Sequence, residues 1–166
     1  MKTNTLGEYN SVLFAKYLVA YANANRYALN ITKIQKLLYV AYGAYMAVTS
    51  KRLLDEHPQA WPYGPVFPKT RNCLVKLNLE SISPSNKEFA EIKNNREIND
   101  LLNSVLVSFG GFSAVSLSEW SHKKGSPWDK TVKSDNFKWG KVIEDDLIKR
   151  YFDSIIISQP KEKEIC

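Results

Sequence analysis

Residues 34–48 read IQKLLYVAYGAYMAV, a stretch without proline in which Ile34, Leu37, Leu38, Ala41, Tyr45 and Val48 recur at offsets of three and four. That spacing gathers side chains onto one face of an α-helix. Just ahead of it, Thr32-Lys33-Ile34-Gln35 has the spacing of a capping box, in which hydroxyl and amide satisfy the backbone N–H groups left open at a helix start. The reading is a helix from Thr32 whose apolar stripe turns inward, leaving Lys33, Lys36 and Tyr39 along its exposed side. Gly43 weakens such a helix by about 1 kcal/mol relative to alanine.

Working outward, residues 11–24, SVLFAKYLVAYANA, are apolar on nearly every face apart from Lys16, the mark of a centrally buried helix. After Ser50, Lys51 to Leu54 and Gln59 to Tyr63 read as a short β-hairpin closed by the polar residues 55–58. Pro68 suits the first turn of a helix running to about Leu77, with Cys73 and Leu74 inward. Residues 79–95 are polar and read as a surface connection with one loose helical turn. Ile98, Leu101, Leu102, Val105, Leu106 and Phe109 form another helical stripe, ended by Gly110-Gly111 through a left-handed residue. Ser116 to Glu119 repeats the capping-box spacing and opens a short helix stopped at Gly125. Leu147, Ile148, Tyr151, Phe152 and Ile155 mark a last helix, with Glu144, Asp145 and Asp146 in its first turn. The expectation is a mainly α, single-domain bundle of roughly five or six helices, with a short hairpin before the AWPYGPV turn. The domain spans 1–158, followed by a frayed tail over 159–166.

The chain has 166 residues, 44% of them hydrophobic and 24% charged, which fits one soluble globular domain. MKTNTLGEYN at the start lacks the apolar core of a signal peptide, and no apolar run approaches the roughly 18 to 20 residues that span a bilayer. A cytoplasmic protein without membrane insertion is expected. Cys73 and Cys166 are the only cysteines, too few for a disulfide framework or a four-ligand zinc site. His57 and His122 have no partner at metal-ligand spacing, and neither a phosphate loop nor a nucleophile elbow is present. The sequence therefore offers no catalytic group, metal or cofactor, and a non-enzyme is expected. The net charge of +6 invites an acidic partner. The lysines and arginines nevertheless form no run longer than a pair and no nucleic-acid motif, which disfavours nucleic acid.

Residues 60–68, AWPYGPVFP, place prolines at 62, 65 and 68. Each removes a backbone donor and pushes its predecessor out of the helical region, so the stretch reads as extended and close to polyproline II. Two uses fit: a rigid strap that packs Trp61 and Phe67 on the helix beside it, or a preformed edge for a partner.

In order along the chain, IQKLLYVAYGAYMAV, AWPYGPVFP and LSEWSHKKGSPWDK (117–130) together resemble the Panacea domain, found in bacterial and phage-associated proteins. The matching positions are Lys36, Leu37, Leu38, Tyr39, Ala60, Trp61, Tyr63, Gly64, Pro65, Val66, His122, Pro127 and Trp128. The resemblance implies an antitoxin that neutralises a cognate protein toxin, encoded by a neighbouring gene, through direct binding. Some relatives instead present the toxin to an energy-dependent protease. A basic nucleic-acid-binding regulator remains as a reading of another class, motivated by the charge and the aromatic content. Partner contacts are expected from Lys33, Lys36, Tyr39, Trp61, Tyr63 and Val66. Leu37, Leu38, Ala60, Gly64, Pro65, His122, Pro127 and Trp128 are expected in structural roles, with Trp61 and Trp128 open to either use.

Overall fold

Every residue from Lys33 to Gly43 is buried, because helix α2 (Ile31–Thr49) is surrounded by other elements along most of its length. The computed structural model describes residues 7–158; the expectations for 1–6 and for the tail 159–166 with Cys166 lie outside the described residues. Around α2 pack α1 (Ser11–Ala24), a hairpin of β1 (Gln59–Trp61) and β2 (Gly64–Val66), α3 (Pro68–Leu74), α5 (Arg96–Phe109), α6 (Ala114–Ser121) and α8 (Asp145–Ser158). Helices α4 (Ala90–Lys93) and α7 (Pro127–Val132) complete a mainly α fold with more helices than expected. Among the described residues no single helix is long and apolar enough to cross a membrane.

Helix α1 spans the apolar run, and Pro68 opens α3 at its first turn as anticipated. Residues 79–95 are more ordered than a surface connection, since Phe89 and Ile92 enter the core from a 3₁₀ turn and from α4. The start of α2 differs from the capping-box reading. Its N-cap is Asn30, whose Oδ1 accepts from Lys33 N–H at 2.8 Å, in line with the stronger capping preference of Asn over Thr. Helix α6 likewise starts from Ser113, whose hydroxyl accepts from Ser116 N–H. Gly110 ends α5 with φ of −66° rather than in a left-handed conformation. What requires glycine there is space, because a Cβ would lie 2.7 Å from the Tyr27 ring.

The hairpin is present and one anticipated strand, from Gln59, is found in it, but its partner is not Lys51 to Leu54. Leu54 makes a parallel bridge with Tyr9, while Gln59–Trp61 pairs with Gly64–Val66 within the proline-marked stretch itself. Residues 55–58 do not close a turn; Asp55 and Glu56 accept from helix starts. Asp55 Oδ1 takes Ser11 N–H at 2.9 Å, and Glu56 takes Thr70 Oγ1 at 2.9 Å and Ser11 Oγ at 2.8 Å. Glu56 thereby supplies α3 with the acceptor its own N-cap, Phe67, lacks.

Tyr42 Oη donates to Asp145 Oδ1 at 2.7 Å and Arg52 Nε to Asp145 Oδ2 at 3.1 Å, fastening α2 to the start of α8. Farther along that crossing, a Cβ on Gly43 would lie 2.2 Å from Phe152 Cε2. The Phe152 ring is held edge-on by Tyr39 and Trp120, so it has little room to retreat. Gly43 is thus a close-approach residue rather than a tolerated weakness. Gly43→Ala is expected to lower stability by about 1 to 3 kcal/mol, read as a lower Tm. Helix propensity alone predicts a gain of about 1 kcal/mol, and a raised Tm would contradict the packing.

Candidate functional site

Pro62 and Tyr63 form the tip of the hairpin, between the paired residues Trp61 and Gly64. Proline at the second and glycine at the fourth position of such a turn are both favoured. Pro65 belongs to the sheet edge, where a missing N–H costs no ladder bond. On the other side of β1, Ala60 N–H donates to Lys141 O at 2.8 Å and Gly140 N–H to Ala60 O at 2.9 Å. The extended polyproline reading therefore gives way to a turn, an edge strand and a helix start, one proline in each.

Two neighbouring residues of α2 hold this hairpin from beneath. Lys36 Nζ donates to Pro65 O at 3.1 Å, and Gln35 Oε1 accepts from Phe67 N–H at 2.7 Å. Gln35 serves the strand exit instead of the capping box assigned to it. Gly64 makes the approach feasible: its φ is +114°, and a Cβ there would lie 2.5 Å from Ser121 Oγ and 2.7 Å from Lys36 Cε. Burial lowers the Lys36 ammonium to about 8. Among the described residues, no carboxylate pairs with it.

The Trp128 indole closes the same cluster. Its Nε1 donates to Trp61 O at 2.8 Å while the His122 ring stacks on it, with centroids 4.0 Å apart. Burial first, and then the Lys36 charge, lower the His122 pKa against the opposing carbonyl of Pro62, which favours the neutral imidazole at neutral pH. Trp61 is half-buried, with Arg71 5.7 Å above its ring.

These tethers leave Tyr63 outside at 75% exposure. It borders a groove of about 470 Å³, lined also by the start of α2 at Asn30 and Thr32 and by Val115, Ser118, Glu119 and His122. Val115, Ser118, Glu119 and His122 fall at offsets of three, four and seven along α6 and its cap, hence on one face. Val115 is 68% exposed. Mixed apolar and polar lining of this kind suits a protein segment, with apolar contacts for affinity and polar groups for register. Among the described residues, no cluster of His, Cys, Asp and Glu is arranged to hold a metal ion.

Of the residues expected at a partner surface, Tyr63 alone stands fully in solvent. Lys33, Lys36 and Tyr39 are buried, at 8%, 1% and 1% exposure, because α2 has no exposed side at this level. Val66 also turns inward. Leu37, Leu38, Ala60, Gly64, Pro65 and Pro127 are buried. Sequence reasoning missed Val115, Ser118 and Glu119; their helical spacing into His122 was the available signal.

The family described as "Antitoxin SocA-like, Panacea domain" matches residues 34–129, which include the hairpin, α6, His122 and Trp128. The chain is also similar to Antitoxin SocA of Caulobacter vibrioides (strain NA1000 / CB15N), 28% identical in an alignment 148 residues long, with 76% of this chain and 74% of that protein covered. No solved structure matches.

Unfolded, Lys36 keeps its proton to about 10.5; folded, it releases it near 8. Between those values the unfolded chain binds more protons, so the cost of burying the charge is complete below pH 8 and is relieved as pH rises. From pH 8 to 10 the parent protein is expected to gain about 1 kcal/mol per pH unit relative to Lys36→Met. Tyrosines such as Tyr39 and Tyr42, pushed up by burial, act in both proteins and cancel in the comparison. Urea titrations at each pH test this, and a difference that does not change with pH would place the amine in water.

Proposed function

The chain belongs to the SocA-like antitoxin family that carries the Panacea domain, and from that premise we propose that it neutralises a cognate protein toxin by direct contact. The toxin is the product of an adjacent gene, held against the hairpin tip and the α6 face. One observation carries this reading: Tyr63 projects into solvent at 75% exposure from a turn whose base is fixed by Lys36 and Gln35. An exposed aromatic on a fixed support loses little conformational entropy when a partner covers it. Tyrosine is also among the residues enriched in binding hot spots.

Binding alone is the role, so no catalytic group enters the account. Val115 extends the apolar contact across the groove, and Glu119 and His122 supply polar groups that select the docked segment. Delivery of the toxin to a protease would use the same contact, followed by loss of the toxin rather than accumulation of a complex.

Growth arrest on inducing the adjacent reading frame, relieved by this chain and accompanied by co-purification, is the expected result. Tyr63→Ala and Val115→Asp should each weaken the complex by about 2 kcal/mol, roughly 30-fold in Kd. Their Tm should stay near the parent value, because both side chains are exposed. Unchanged binding by both variants would move the interface elsewhere on the molecule.

A further inference from the structure

Residues 123–141 carry Lys123, Lys124, Lys130, Lys133, Lys138 and Lys141 against only Asp129 and Asp135, a net +4 of the chain's +6. Read along the sequence, the basic residues are spread through the chain. In the structure this segment wraps through α7 and back to β1, and all of its lysines are exposed. Lys133 pairs with Asp129 and Lys141 donates to Ser134. Among the described residues, the other four make no ion pair, although Asp129 also feels the charge of Lys124.

Near the end of this segment, between Lys138 and Lys141 in the sequence, stands Trp139, 56% exposed. Its ring lies 6.3 Å from Trp128 at an interplanar angle of 33°, and Phe137 meets it edge-on at 5.0 Å. The backbone beside it is anchored, since Gly140 N–H donates to Ala60 O and Gln59 bridges Val142. Trp139 is therefore a supported aromatic face rather than a loose side chain. It also lies beyond the residues matched by the antitoxin family.

From the charge and the ring together, we infer that this surface binds a single-stranded polynucleotide, with phosphates along the lysines and a base stacked on Trp139. Lysine acts as a point charge toward phosphate, and base stacking on an aromatic ring tolerates any sequence. An acidic protein surface fits less well, because protein interfaces are depleted in lysine and enriched in arginine, and the segment has no arginine. Polynucleotide binding here does not depend on which toxin the hairpin takes, or on whether it takes one.

The test is fluorescence anisotropy of the full chain with a labelled oligo-dT of roughly 15 nucleotides, titrated at several salt concentrations, with oligo-U as a second probe. Expected are binding at low salt and a log-log salt slope near −3, about 0.7 per phosphate contact. Trp139→Ala should weaken it roughly tenfold, and Lys130→Gln with Lys138→Gln should flatten the slope. Both variants alter exposed side chains, and a Tm measurement shows that they fold. Binding of either oligonucleotide with these responses supports the inference. No binding at low salt, indifference to Trp139→Ala, or equal competition by polyglutamate overturns it, the last in favour of an acidic protein.

Discussion

A buried ammonium holds the candidate site together. Lys36 sits at 1% exposure on the central helix and donates to the carbonyl of Pro65. Burying that charge is costly, and burial alone brings its pKa down to about 8. In return the hairpin is fixed to the core at the one strand whose proline leaves few other ties. Gln35 makes the adjacent bond to Phe67 N–H, so two successive residues of α2 set the height and the exit of β2. Gly64 has to be glycine for the lysine to reach, and Trp128 seals the turn from the other side through Trp61 O.

Given that support, the rest of the surface follows. The tip presents Tyr63, and α6 presents Val115 and its polar neighbours across the groove. The hairpin and α6 fall within residues 34–129, the region matched by the antitoxin family, while Asn30 and Thr32 just precede it. The last helix serves mainly to enclose α2, with Asp145 joined to Tyr42 and Arg52 and Phe152 lying on Gly43.

Helical segments with strong periodicity were legible from the residues alone: α1, α5 and the proline start of α3 stand where their patterns put them. The misreadings share a physical origin. Thr32 and Gln35 satisfy a local capping pattern, yet Asn30 is the better cap and Gln35 is taken by a bond over a long sequence separation. Lys33 and Lys36 look like solvent-facing residues because charge is normally exposed, and only the tertiary arrangement gives Lys36 its carbonyl partner. Three regularly spaced prolines suggest one extended path, while the ladder between β1 and β2 divides them among three local structures. In each case a local rule yielded to a contact that sequence spacing does not express.

We propose that the hairpin tip and the α6 face bind the toxin as one preformed surface. Hydrogen–deuterium exchange of this chain, alone and in complex with the toxin from the adjacent gene, tests it most directly. The account predicts slowed exchange concentrated in residues 61–67 and 114–123, with the amide of Phe67 already protected in the free protein. Protection confined to other elements, or a Phe67 amide that exchanges freely until the toxin binds, would contradict it.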